Sequence, residues 1–136
     1  MFDDTTGWVT KAEGDFNSAR ALLEQEVEGS IDNVCYLCQQ CAEKYLKAFL
    51  RERDMDFPRT HDLEALLEMC SQIDQEFDQL GPDAQTLADY AVDIRYPGVM
   101  AIRSEAEEAL TAAARIRKFI RAKLGLKDSV DPVLRC

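Results

Sequence analysis

Three short polar strings hold the residues of this chain that could do chemistry. They are Gln39-Gln40-Cys41-Ala42-Glu43-Lys44, Arg59-Thr60-His61-Asp62 and Asp93-Ile94-Arg95-Tyr96-Pro97-Gly98. Each lies inside or beside an apolar pattern typical of a helix, so three turns or helix faces can converge on one polar cleft. We therefore expect the imidazole of His61 and the guanidinium of Arg95 to face a shared, solvent-accessible hollow.

The residue types in these strings suit a phosphate group. Arginine presents a planar fork of donors that matches phosphate oxygens, histidine can donate a hydrogen bond, and tyrosine can stack on a base. We predict neither a metal site nor a cofactor, and a nucleotide is the candidate ligand. His61 and Arg95 are the candidates for any catalytic role. The candidate ligand-binding residues are Gln39, Gln40, Glu43, Lys44, Arg59, His61, Asp62, Asp93, Arg95 and Tyr96.

Several of these residues also have a purely structural interpretation. His61 stands beside a helix start, where it can cap or pack, and Arg95 can form an ion pair with Asp93 that holds a turn. Glu43 and Lys47 stand four positions apart, the spacing of a surface salt bridge worth about 0.3 kcal/mol. For this last pair we favour the solvated-face interpretation.

The two glutamines differ from the other polar residues. One of two adjacent helical residues must turn towards the apolar stripe, and a buried amide needs hydrogen-bond partners. Arg59 or Asp62, from the loop that follows, could supply them.

Apolar residues recur with the period of a helix along almost the whole chain. Prolines and glycines divide this pattern, and Thr60 or Asp62 can cap the third helix. Ser104-Glu105-Ala106-Glu107 predicts a capping box for the fifth, with Gly125 at its end. The sequence thus predicts an all-α, up-and-down bundle of about five helices, the first, second and fifth being long. The first, second, third and fifth run over about 6–27, 31–53, 62–70 and 104–124, with a turn and a short helical piece over 71–81. The fourth starts at Gly81-Pro82-Asp83 and is stopped by Tyr96-Pro97-Gly98.

Length and charge limit the function classes. The 136 residues predict one domain over residues 1–127, with a flexible tail over 128–136. A net charge of -10 opposes non-specific attraction to nucleic acid. Eleven acidic residues and one basic residue fall between Asp54 and Asp93, whereas Arg115 to Lys127 holds six basic residues and no acidic one. Half of that basic cluster can complement a helix dipole, so a nucleic-acid patch is the less favoured interpretation.

The cysteines predict a reducing compartment. They are odd in number, and no secretory signal precedes them. Three stand at i, i+3 and i+6 of one helix, where a tetrahedral metal site would need ligands from another element, so core packing is favoured. No apolar run approaches the roughly 18 residues of a membrane span. We expect a soluble, cytoplasmic protein. The cysteines are Cys35, Cys38, Cys41, Cys70 and Cys136.

Taken together, the strings resemble the HEPN domain family. The resemblance covers about Thr6 to Leu124 and implies a helical bundle that tends to dimerise and is often encoded beside a minimal nucleotidyltransferase. Family members are proposed to bind a nucleotide or RNA, and many branches cleave RNA as toxins of toxin–antitoxin pairs. The resemblance rests on Ala19-Arg20-Ala21-Leu22-Leu23, Gln39-Gln40-Cys41-Ala42-Glu43-Lys44-Tyr45-Leu46-Lys47-Ala48, Arg59-Thr60-His61-Asp62-Leu63 and Arg95-Tyr96-Pro97-Gly98.

This chain departs from the nuclease branches of that family. Those branches use an arginine followed by a histidine after four to six intervening residues, because histidine can move a proton and arginine can stabilise charge on phosphorus. The only histidine is His61, and the required arginine positions hold Asp54, Met55 and Asp56. The positions that would pair with Arg95 hold Met100, Ala101 and Ile102. The sequence therefore argues against ribonuclease activity.

Three functions remain open from the sequence. The favoured one is a dimeric accessory or binding protein with a nucleotide-sized polar cleft and a nucleotidyltransferase partner. The second is an RNA-cleaving toxin that brings His61 and Arg95 together in space. The third is a purely structural dimerisation or adaptor module. A dimer is also suggested by the fifth helix, which carries apolar residues on more than one face. These residues are Ile116, Phe119, Ile120 and Leu124.

Overall fold

Helices account for the secondary structure of the described part of the chain. The computed structural model describes residues 1–91, 98 and 100–127, and no strand occurs among them. Two 3₁₀ segments, Gln75–Leu80 and Asp89–Ala91, flank the fourth α-helix. The predicted all-α bundle with three long helices is confirmed. The helices are α1 (Asp3–Glu24), α2 (Ile31–Glu52), α3 (Leu63–Ile73), α4 (Gly81–Ala88) and α5 (Arg103–Lys123).

Helix boundaries differ from the prediction where local chemistry overrides the apolar period. Helix α1 begins at Asp3, earlier than predicted, because Asp3 and Asp4 favour the positive end of the helix dipole. It ends at Glu24 and not at Val27. The fourth helix is shorter than predicted, since α4 stops at Ala88 and Asp89–Ala91 is a 3₁₀ segment. Its predicted stop at Tyr96-Pro97 lies outside the described residues.

The start of α5 corrects the predicted capping box. The helix begins at Arg103, and the Glu105 carboxylate accepts a hydrogen bond from the Ile102 N–H at 2.9 Å. The glutamate that satisfies the helix start therefore lies two positions before Glu107. The other end follows the prediction, since Gly125 has φ of 75°, a left-handed conformation that glycine adopts without steric cost.

The three long helices form the body of the bundle. Helix α1 packs antiparallel along α2, so Trp8 lies near Lys47 and Asp15 near Lys44. Helix α5 runs parallel to α2. Asp32 at the start of α2 accepts from the Ala101 N–H just before α5, and Arg121 near the end of α5 donates to the Tyr45 hydroxyl further along α2. The side chains between these helices form one continuous apolar core that α3 and α4 extend.

The buried cysteines belong to that core. Cys35, Cys38, Cys41 and Cys70 are fully buried and free. Burial raises the pKa of the Cys38 thiol to about 12, so it stays protonated. Core packing is confirmed for these four, and the described residues contain no cluster that could hold a metal ion.

The apolar residues of α5 face inward and leave no second exposed stripe. Ile116 and Ile120 are buried, and the Phe119 ring packs at 4.9 Å from that of Phe77, at an interplanar angle of 83°. The wide apolar surface inferred for this helix is therefore covered by the chain itself. That reason for expecting a dimer was wrong, although the dimer stays a prediction.

Among the described helices, none combines the length and the apolar character needed to cross a membrane. The predicted tail over residues 128–136 lies outside the described residues.

Candidate functional site

The loop between α2 and α3 positions the site. After Glu52 the chain reverses at Asp54, whose φ is 55°, and the Met55 N–H donates to the Leu50 carbonyl at 2.9 Å. The loop then runs back along the last turns of α2. Asp62 ends it by accepting from the Ala65 N–H at 3.2 Å, as expected for the cap of α3. This return lays residues 57–61 against the polar face of α2.

Glu43 is the centre of a polar network beneath this loop. Its side chain is only 3% exposed, and one carboxylate oxygen accepts from Lys47 Nζ at 3.0 Å. The other oxygen lies 2.9 Å from Nδ1 of His61. Lys47 is also nearly buried, with 7% of its side chain exposed. The solvated-face interpretation of the Glu43 and Lys47 pair was therefore wrong, because the returning loop and α1 cover this face of the helix.

Gln39 holds the backbone of the same loop. Its side chain is fully buried, and its Nε2 donates to the His61 carbonyl at 3.2 Å. Its Oε1 accepts from Gln40 Nε2 at 2.7 Å. A buried amide with partners was predicted correctly, but the partner is the backbone of His61 and not Arg59 or Asp62. His61 is thus fixed through both its carbonyl and its ring.

The His61 ring is anchored on one side and open on the other. Its side chain is 73% exposed, although Nδ1 lies against the buried carboxylate of Glu43. A carboxylate that is ionised only accepts hydrogen bonds, so Nδ1 carries the hydrogen in this contact. Nε2 is left as the ring nitrogen available to a ligand.

A cavity of about 530 Å³ adjoins this histidine, and we call it the α2 pocket. Helix α1, the end of α2 and the returning loop form its walls. The rings of Trp8 and Phe57 meet edge to face with centroids 6.1 Å apart. Lys47 Nζ lies 5.3 Å from the Trp8 ring centroid and 5.7 Å from that of Phe57. The lining residues are Asp4, Trp8, Lys47, Arg51, Phe57, Arg59, Thr60 and His61.

The cations of the α2 pocket differ in how far they are already engaged. Arg51 Nε donates to Asp4 at 2.5 Å and its Nη1 to Asp56 at 3.0 Å. Lys47 is paired with Glu43. Arg59 is exposed and has no acidic partner within the described part of the chain. Arg59 is therefore the guanidinium that an incoming anion meets without first displacing a carboxylate.

The predicted site residues separate into three groups. Gln39, Gln40, Glu43 and His61 form one network, and Arg59 lines the adjoining pocket. Lys44 does not join them, because its ammonium pairs with Asp15 of α1 at 2.6 Å. Asp62 serves as the cap of α3. Asp93, Arg95 and Tyr96 lie outside the described residues, so the predicted approach of Arg95 to His61 stays a prediction.

Sequence reasoning missed much of the pocket lining. The apolar period places Trp8 on the buried stripe of α1, and Phe57 stands out only as the residue before Pro58. A signal was present in α2, where Gln39, Glu43, Lys47 and Arg51 recur every four residues and so form one polar ridge along the helix. A polar ridge on a helix that is otherwise buried predicts a site or a partner along that ridge.

A second cavity of about 690 Å³ lies between α3 and α4, and its chemistry differs. Acidic and amide side chains dominate its lining, and no basic residue contributes to it. Such a surface repels phosphate. Its lining is Glu64, Leu67, Glu68, Ser71, Gln72, Gln75, Asp78, Gly81, Pro82 and Gln85.

The fold and the site belong to a small all-α protein with a polar ridge along one buried helix. Comparison with known proteins shows its family. The HEPN domain family model matches residues 5–123, so the chain belongs to the HEPN domain family. The sequence finds no match among curated proteins.

Two solved structures are similar to this chain over most of their length. The archaeal HEPN homologue ST0689 is 25% identical with a TM-score of 0.70, and the alignment covers 88% of this chain and 97% of that one. The protein TT1696 from Thermus thermophilus is 25% identical with a TM-score of 0.73, over 90% of this chain and 99% of its own. The family resemblance inferred from the polar strings is confirmed.

Proposed function

We propose that this chain is a HEPN-type accessory protein that binds a nucleotide in the α2 pocket. The observation that carries the proposal is that an aromatic pair, the Arg59 guanidinium and the open ring of His61 surround one cavity. Among the described residues, Arg59 has no acidic partner. The protein as a whole carries a net charge of -10, so the cluster of cationic side chains around this cavity stands out from its acidic composition. A phosphate at one end and a base at the other match it.

The size and lining of the pocket support a ligand of this class. Small-molecule sites are mostly apolar clefts of about 300–1,000 Å³ with a few fixed polar groups. Trp8 and Phe57 offer aromatic surface, and stacking of a base on an aromatic ring contributes about 1–3 kcal/mol. Arg59 offers a donor fork for phosphate oxygens. Arg95 and Tyr96 stay candidates for further contacts.

A small nucleotide is favoured over an extended RNA because several basic side chains of α5 already pair with carboxylates. Arg115 pairs with Asp83 at 3.0 Å, and Arg117 pairs with Glu13 at 2.7 Å. Lys123 pairs with Asp74 at 2.7 Å. A ligand that used these side chains would have to displace carboxylates first. The absence of the arginine–histidine spacing of the nuclease branches favours binding without RNA cleavage.

We include two partners in the proposal. Family membership supports a homodimer and an association with a minimal nucleotidyltransferase, as the sequence resemblance implies. Such a partner would act on or supply the nucleotide that the α2 pocket holds. Sedimentation of the purified protein tests the dimer, and a monomer at micromolar concentration would remove it.

Calorimetric titration with ATP, ADP and AMP tests the binding proposal. Wild-type protein is expected to release heat with at least one of them, and Arg59→Ala to bind about tenfold or more weakly, because a hydrogen bond to a charged group contributes about 1.5–3 kcal/mol. Arg115→Ala removes an exposed arginine remote from the pocket and should bind like wild type. Absence of heat with every nucleotide, or unchanged affinity in Arg59→Ala, would remove the pocket from the account.

A further inference from the structure

The contacts of His61 restrict what its ring can offer a ligand. Nδ1 is committed to Glu43 at 2.9 Å, and the carbonyl of the same residue is held by Gln39 at 3.2 Å. Only Nε2 remains for the α2 pocket. A neutral ring with its hydrogen on Nδ1 presents a lone pair at Nε2, whereas the imidazolium presents an N–H there.

We propose that His61 binds the phosphate of the nucleotide as an imidazolium, so that ligand binding takes up a proton at this residue. The inference rests on the proposed function and names the chemical group that the pocket selects. A phosphate oxygen is an acceptor and is repelled by a lone pair at Nε2. A phosphate dianion offers acceptors alone, so the uncommitted side of the ring can hydrogen-bond it only after the ring gains a proton.

The charged groups around the His61 ring decide whether its protonation depends on the ligand. On α2, the carboxylate of Glu43 is already neutralised by the ammonium of Lys47. The loop contributes Arg59 at the pocket and Asp62, whose carboxylate is turned to the Ala65 N–H. From α1, Asp4 is paired with Arg51 across the cavity.

Protonation of His61 in the empty pocket therefore adds a positive charge near Arg59, and the carboxylate nearest the ring among the described residues, that of Glu43, is shared with Lys47. A phosphate dianion balances the added charge, since its two negative charges match an imidazolium and a guanidinium. The pocket is thereby selective for a nucleotide with a terminal phosphate over the corresponding nucleoside. The difference in affinity between the nucleotide and the nucleoside should decrease as the pH rises, because protonation of His61 becomes less favourable.

Calorimetry of AMP binding in two buffers of different ionisation enthalpy measures the proton directly. At pH 7.5 the free phosphate is a dianion, because its second pKa is about 6, so proton uptake comes from the protein. We expect about one proton per AMP bound at pH 7.5, and affinity that falls up to tenfold per pH unit above that value. Adenosine, which lacks the phosphate, should take up no proton.

His61→Asn is the matched variant. An asparagine amide can keep an N–H directed at Glu43, but it cannot titrate. This variant is expected to fold, to bind AMP at least tenfold more weakly at pH 7.5 and to show no proton uptake there. Its thermal unfolding should stay cooperative, which separates loss of the proton from loss of the fold.

The outcomes separate this inference from the proposed function. AMP that binds wild type at pH 7.5 without proton uptake, or with the same uptake in His61→Asn, would overturn the role of His61 and leave the pocket intact. AMP that fails to bind wild type at both pH 5.5 and pH 7.5 would remove the pocket itself.

Discussion

The carboxylate of Glu43 contacts two basic side chains and lies beside two side-chain amides. Oε2 accepts from Lys47 at 3.0 Å, and Oε1 lies 2.9 Å from the His61 ring and 3.5 Å from the amide nitrogens of Gln39 and Gln40. Burying a carboxylate costs several kcal/mol unless it is paired and hydrogen-bonded. The pairing with Lys47 and the contact with His61 offset that cost and orient the imidazole.

Two glutamates at the same helical spacing from a basic residue give a matched test of this burial. Glu43→Gln leaves the nearly buried ammonium of Lys47 without a counter-charge and should lower the free energy of unfolding by about 3 kcal/mol. Glu24→Gln breaks the pair with Arg20, in which Glu24 is 68% exposed, and should change it by less than about 1 kcal/mol. Urea unfolding of both variants measures the difference. Equal small losses would show that Glu43 is not held as described.

The residues of the site were only partly predictable. Gln39 could be assigned to the interior because one of two neighbouring amides had to face the apolar stripe. Glu43 and Lys47 could not, since a spacing of four residues places them together without saying what covers them. Trp8 and Phe57 joined the site through the antiparallel packing of α1 and the reversal after α2, which no local pattern encodes.

At the level of elements, the apolar period predicted which segments are helical, and local capping chemistry decided where they end. The early start of α1 follows from Asp3 and Asp4, and the start of α5 follows from Glu105. For the loop over residues 53–62, the sequence pattern predicts only that Pro58 breaks the helix. Its course back along α2 depends on the left-handed turn at Asp54 and on side-chain contacts, which are tertiary information.

The basic cluster of α5 is matched by acidic elements of the same chain. Asp74 and Glu76 meet Lys123 at 2.7 and 2.8 Å, and Asp83 meets Arg115. The acidic block and the basic block of the sequence thus complement each other within the bundle. Because exposed pairs contribute little each, their main effect is to lower the local positive potential, and not to fix the fold.

Across the whole molecule, one ionic cluster joins the three long helices. Glu13 of α1 accepts from the Tyr45 hydroxyl of α2 at 2.5 Å and from Arg117 of α5 at 2.7 and 2.8 Å. Burial disfavours the charged form of Glu13, but the hydrogen bonds from Arg117 and Tyr45 and the charges of Arg117 and Arg121 outweigh it. They hold the pKa of that carboxyl below its usual value of 4.5.

This lowered pKa predicts how the bundle responds to acid. A depressed pKa gives a stabilisation that is complete above the unfolded-state value and is lost as the pH falls through the folded-state value. At pH 7, Glu13→Gln should lower the free energy of unfolding by about 3 kcal/mol, since it removes the charged acceptor that Tyr45 and the nearly buried Arg117 share. The gap to wild type should narrow below pH 4.5. Urea titrations at pH 7, 5 and 3.5 that give a constant gap would contradict this role of Glu13.

A crystal structure of the protein soaked with AMP tests the central claim most directly. The account predicts a nucleotide in the α2 pocket, with its base against Trp8 or Phe57 and its phosphate oxygens within hydrogen-bond distance of Arg59 and of Nε2 of His61. A nucleotide bound only at another surface, or one in the pocket with its phosphate directed away from both side chains, would contradict it.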